Sequence, residues 1–183
     1  QSKDDVRASA FQYFPTARWS STATNQAPRN GPNALRQGDP VTITWSIVPD
    51  GTPIAATGSI EAESSDPSNL VAFLNGIYGN QATWLALMQQ VFDRWSEVTG
   101  NHYVYEPFDD GASFPGAEGS LGARGDVRIG GHSIDGSFNT LAYNYGPTGG
   151  DMVIDTADGY FNTTSNNSLR FRNVFAHEHG HGL

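Results

Sequence analysis

Short apolar runs alternate along this chain with longer polar, Gly-rich stretches, and the runs differ in period. In "VTITWSIV", Val41, Ile43, Trp45 and Ile47 recur at every second position, which predicts a strand with one face inward. "PDGT" ends that strand as a turn. In "ATWLALMQQVFDRWSEVTG" the apolar residues Trp84, Met88, Val91, Phe92 and Trp95 fall instead at helical spacing. The spacing predicts a helix over 82–99 that is stopped by Gly100 and whose stripe is core. Before it, "NLVAFLNGIYG" reads as a shorter helix. After it, "HYVYEPF", "GDVRIGG", "NTLAYNYG" and "DMVID" read as further strands, with "GPTGG" turning between the last two. The final "NNSLRFRNVFAHEHGHGL" predicts a helix begun by Asn or Ser caps, with Leu169, Val174 and Phe175 able to face a core. Strands with a long helix among them and a terminal helix make a mixed α/β (α+β) layout.

Residues 1–40 lack any period, and "STATNQAPRNGPNALRQGDP" is polar and rich in turn formers. The cluster Phe11, Tyr13, Phe14 and Trp19 is too apolar for a free tail. The expected organisation is therefore an irregular segment, 1–40, docked on one domain, 41–183. A length of 183 residues suffices for one buried core.

Composition narrows the function. With 21 glycines and only 16% charged residues, the chain suits a loop-rich secreted domain. A net charge of -9 argues against nucleic acid, whose phosphates need clustered Lys and Arg. No apolar run approaches the roughly 20 residues that span a bilayer. The absence of Cys excludes disulfides and thiolate metal sites. The chain begins at Gln1 without a signal-like segment, as a mature form would after removal of a signal peptide and as a trimmed chain would too; an extracellular location is expected.

Candidate chemistry sits in "NVFAHEHGHGL", where His177, Glu178 and His181 spell H-E-x-x-H. At about 100° per helical residue, His177 and His181 lie roughly 40° apart and one turn along the axis, so both imidazoles reach one ion. His179 lies about 200° from His177, on the opposite side, and is not expected to be a ligand. Zinc lowers the pKa of a bound water, and Glu178 is placed to take its proton. A catalytic zinc takes three protein ligands and one open position, and the motif supplies two.

"HEHGHGL" resembles the opening of H-E-x-x-H-x-x-G-x-x-H, the long signature of the metzincins. The Gly and third His of that signature would follow Leu183, so the third ligand is expected downstream or on a separate C-terminal fragment. This chain alone is then expected to bind zinc weakly and to hydrolyse nothing at a useful rate. Within the metzincins the chain resembles the matrixins. The stretch "DVRIGGHSIDGSFNTLAYNYGPTGGDMVID" runs parallel to the strand–loop–strand block of that family. The matching residues are Asp126, Asp135–Gly136, Leu141–Ala142, Pro147, Gly149–Gly150–Asp151 and Asp155. "VTITWSIVPDGT" and "VFDRWSEVTG" look like the first strand and helix of secreted bacterial members, so the resemblance covers roughly 41–183.

The resemblance implies a zincin/metzincin-like fold, with a twisted, mostly parallel sheet of about five strands packed on the long helix and a terminal zinc-binding helix beneath. It implies a secreted zinc endopeptidase with zinc on His177 and His181 and Glu178 as general base. The strand "NTLAYN" would be an exposed edge that takes an extended peptide substrate. The resemblance also implies structural calcium: Asp135, Asp155 and Asp158 match one site, and Asp126 and Asp151 match a second. Gly-rich loops supply the carbonyls such sites need, but the same acids also cap turns. The family's structural zinc is not carried over, because its strand positions hold Tyr143 and Val153. His132 is left alone there and reads as a solvated loop side chain. The alternative is a calcium-stabilised binding or assembly module, or a processed fragment, without catalysis of its own.

Overall fold

Parallel strands bury both faces, and a computed structural model shows how this chain covers them. It describes residues 18–26, 34–36, 38–137 and 139–183, so Phe11, Tyr13 and Phe14 lie outside the described residues. In chain order the elements are β1 (Thr42–Ile47), α1 (Leu70–Tyr78), α2 (Gln81–Thr99), β2 (His102–Tyr105), β3 (Val127–His132), β4 (Ala142–Asn144), β5 (Met152–Asp155), a short 3-10 turn (Gly159–Asn162) and α3 (Ser165–His181). The five strands form one sheet in the order β2-β1-β3-β5-β4. All neighbours pair in parallel except β4, which runs antiparallel to β5 at the edge. The architecture is thus α/β with a mostly parallel five-stranded sheet, as expected.

One face carries Ile43, Trp45, Ile47, Val127, Ile129, Met152 and Ile154, which pack with Trp84, Met88, Val91 and Phe92 of α2. The long helix is set as its spacing predicts. Asn80 caps it by accepting from Thr83 N at 3.1 Å, and Gly100 closes it in the left-handed region at φ 77°. Trp95 is only partly buried, because it sits at the end of the stripe and leans on α3, donating to Ala176 O at 3.3 Å.

On the opposite face of β1, Thr44 and Ser46 are buried as well. Two loops lie on that side. A smaller apolar cluster of Val48, Ile54, Phe114, Ile134 and Val153 holds one part of it. The other part is ionic. Arg128, fully buried, donates to Asp109 through Nε at 2.8 Å and Nη2 at 2.7 Å, and Ser46 adds a bond to the same carboxylate. Two further guanidinium protons reach Ser113 O and Ala112 O. A buried ion pair of this kind is tolerable because hydrogen bonds to the Asp109 carboxylate and to two carbonyls take up four of the five guanidinium protons.

The terminal helix departs from its expected start. Its N-cap is Thr164, without a side-chain cap bond, and Asn166, Asn167 and Ser168 hold φ of 54°, 55° and 54°. Regular right-handed helix begins only after this left-handed turn. Leu169 does not face the core but is 43% exposed. The inward stripe is Phe171, Phe175 and His179, and Leu169 lies about 200° from Phe171 around the axis.

Candidate functional site

The inward stripe of α3 decides where the motif points. His179 is buried among Phe92, Trp95 and Tyr103, with ring centroids 4.9, 6.0 and 5.0 Å away. Its Nε2 lies 2.7 Å from the Tyr103 hydroxyl, and its Nδ1 has no partner. Burial without a compensating charge pulls the His179 pKa down to about 3, so the ring is neutral. With that side of the helix fixed inward, His177 and His181 turn outward and are exposed.

Their Nε2 atoms lie 3.3 Å apart, with the rings edge to face at a centroid distance of 4.9 Å. Two imidazoles this close either share a proton or share a cation. Zn–N bonds of about 2.0–2.1 Å at a tetrahedral angle would separate the nitrogens by roughly 3.3–3.4 Å. The spacing of the pair therefore fits zinc. Glu178 is half-buried beside it. Burial raises the pKa of its carboxyl, and the charges of His177 and His181 pull it partly back. A raised carboxyl pKa brings a base closer to the range in which it also releases a proton.

A cleft of about 450 Å³ opens at this point. His177, Glu178, Asn173 and Val174 form its helix wall, and Asn139, Thr140, Leu141 and Ala142 form the wall leading into β4. The edge strand and the motif thus flank one groove. Sequence reasoning found the edge strand, with Asn139 at its start, and the histidines, but gave no role to Asn173, which carries no signal of its own.

The other residues expected at metal sites have protein partners. Asp126 accepts from Ala23 N at 2.6 Å, Thr44 N at 2.8 Å and the Thr44 hydroxyl at 2.8 Å. Asp151 accepts from Gly116 N and Arg128 N, and Asp158 from Tyr160 N. Asp155 accepts from the backbone of Ile134, Asp135, Gly136 and Ala157, while Asp135 accepts from Thr140 N. Among the described residues no three His, Asp or Glu side chains gather as a metal-binding group. Asp135 and Asp155 do meet around one turn, whereas Asp126 and Asp151 bind separate loops.

His132 is the clearest correction. It ends β3, is fully buried, and reaches Asp66 O at 3.0 Å and Glu63 Oε1 at 3.2 Å. The Tyr143 hydroxyl donates to the same Glu63 oxygen at 2.7 Å, and Thr57 occupies the other through its N–H and hydroxyl. Burial pushes the Glu63 pKa up, but these hydrogen bonds outweigh it and hold the carboxylate below its usual range. Glu63 thereby ties a loop to β3 and β4. No period or motif in the sequence around Glu63 announced it.

Trp19 joins the two ends of the described chain. It is buried in the main core, and its indole N–H donates to Gly182 O at 2.8 Å, just past the motif. Gly150 makes room for it, since a Cβ there would sit 2.7 Å from the indole. No protein-family model matches this chain, and no curated protein matches it either.

Proposed function

We propose that this protein is a zinc-dependent endopeptidase of the metzincin type, acting on extended polypeptide in the cleft between α3 and β4. The observation that carries the reading is the 3.3 Å convergence of His177 and His181 Nε2 beside Glu178, in a groove whose far wall leads into an edge strand. His177 and His181 would hold the metal, which supplies polarisation of the scissile carbonyl and acidification of water. Glu178 would accept a proton from the attacking water and deliver it to the departing amine, so that one peptide bond and one water become a carboxylic acid and an amine.

The rim suits a peptide. Leu141 and Tyr145 direct backbone bonds toward β5, through Asp155 N to Leu141 O at 2.9 Å and Tyr145 N to Asp151 O at 2.8 Å. By antiparallel alternation Ala142 and Asn144 turn their N–H and C=O to the open side. An extended chain added there is read through its main chain. Apart from the motif, the cleft walls are neutral, which favours recognition of backbone and apolar side chains over charged ones.

Two titrations test this. His177→Ala should weaken zinc binding by at least about tenfold against a competing chelator, because half the imidazole donor set is lost. Glu178→Ala should leave that binding intact and abolish hydrolysis in any form of the protein that cleaves a peptide. Unchanged zinc affinity in His177→Ala would overturn the reading.

A further inference from the structure

We propose that the buried His179–Tyr103 hydrogen bond is a positioning device, one that sets the rotation of α3 about its own axis and thereby aims the His177–His181 pair at the β4 rim. Its role in catalysis rests on the zinc reading above; its role in geometry does not.

Packing alone leaves the rotation of α3 loosely set. Phe171 and Phe175 hold the inward side of α3 against aromatic neighbours, Phe175 edge to face with Phe92 at 5.3 Å. Apolar contacts are non-directional, so rings of this kind tolerate small rotations of the helix. A hydrogen bond is directional and weakens steeply off-axis. The 2.7 Å bond from His179 to Tyr103 is made in a box of three aromatic rings that excludes water. There a lost bond has no solvent to replace it. Tyr103 is on β2, and β2 pairs with β1 at the side of the sheet opposite β4. The bond therefore anchors α3 to the far side of the sheet from the edge that its motif faces.

The choice of residue fits this role better than it fits space filling. A histidine in a dry aromatic box leaves its Nδ1 without a partner, which a phenylalanine would not. Its Nε2 is the atom used, and the hydroxyl it meets belongs to a strand residue whose own backbone is fixed by the sheet. Residues 177, 178 and 181 flank position 179 on the same two turns, so any rotation admitted at 179 is passed to them unchanged.

The test compares the wild-type chain with Tyr103→Phe and with the double variant Tyr103→Phe/His179→Phe. The double variant removes both polar partners and keeps the rings, so it retains the fold even if the single variant does not. The first readout needs no metal: nuclear Overhauser contacts between Val174 or His177 on α3 and Leu141 or Ala142 across the cleft. They should change in the double variant while contacts of Phe171 persist; an unchanged set overturns the proposal. The second uses cobalt(II) as the probe. In the wild type it should shift the amides of Ala142 and Asn144, and His177→Ala should abolish those shifts. Loss of site-bound cobalt in the wild type would count against the zinc reading alone, leaving the contact measurement to decide the positioning role. In the double variant cobalt should still bind, with altered shifts at those amides. Identical shifts would overturn the proposal.

Discussion

Burial moves two groups of this protein in opposite directions, and each leaves its mark on stability. His179 has its pKa lowered to about 3, well below the roughly 6.5 of an unfolded histidine. Above that unfolded value it is neutral in both states and contributes nothing adverse. As pH falls toward 3, only the unfolded chain takes up the proton, so stability is lost through that window. His179→Gln cannot take up that proton. Between pH 7 and pH 4 the wild type should therefore lose more melting temperature than His179→Gln, and equal losses would contradict the assignment. Asp151 goes the other way, raised to about 7 chiefly by burial, against about 3.9 unfolded. Its contribution is full below the unfolded value and lost as pH rises through 7. In chelator the melting temperature should fall from pH 6 to pH 8. Calcium would remove that fall if Asp151 is a ligand, as the resemblance implies. Identical curves with and without calcium would leave Asp126, Asp135, Asp151, Asp155 and Asp158 as hydrogen-bond staples.

Single elements were legible in the sequence where one local pattern decided them. The spacing of Trp84, Met88, Val91 and Phe92 sufficed for α2, and Gly100 for its end. Only half of β1 could be read. The alternation named only the inward side; Thr44 and Ser46 are buried too, because Asp126 and Asp109 come to them from more than sixty positions away. His132 was misread for the same reason, its partner Glu63 lying in a stretch without periodicity. The start of α3 was hidden differently. "NNS" looks like a cap, yet the three residues form a left-handed turn, which costs L-residues about 1–2 kcal/mol each and Asn least. Arg172 offsets part of that by donating to Asn167 O at 2.7 Å. Replacing Asn167 by a β-branched residue removes the tolerance. Asn167→Val should destabilise by about 1–2 kcal/mol in denaturant titration, whereas Asn167→Gly should be neutral or stabilising. Destabilisation by both would show that the side-chain bond to Gln90, at 2.9 Å, matters more than the backbone.

Across the whole molecule, the candidate site is held from three directions: Tyr103 on β2, Glu63 under β4 and Trp19 at the end of α3. The motif itself stood in plain view in the sequence and Trp19 was expected to dock, but the partners of Trp19, Tyr103 and Glu63 are reached over long sequence separations that no local pattern announces. Trp19→Phe loses both the indole donor and part of the buried ring volume, and should cost about 1–3 kcal/mol in denaturant titration. No change would mean that neither the bond to Gly182 nor the packing of Trp19 stabilises the fold. The Trp19–Gly182 bond spans 163 positions. Closing so long a loop is entropically unfavourable until the intervening strands have already brought its ends together. Folding therefore reaches this contact late. The end of α3 is secured only after the sheet is complete, so a partly folded chain exposes a histidine pair without the groove that would present a substrate to it.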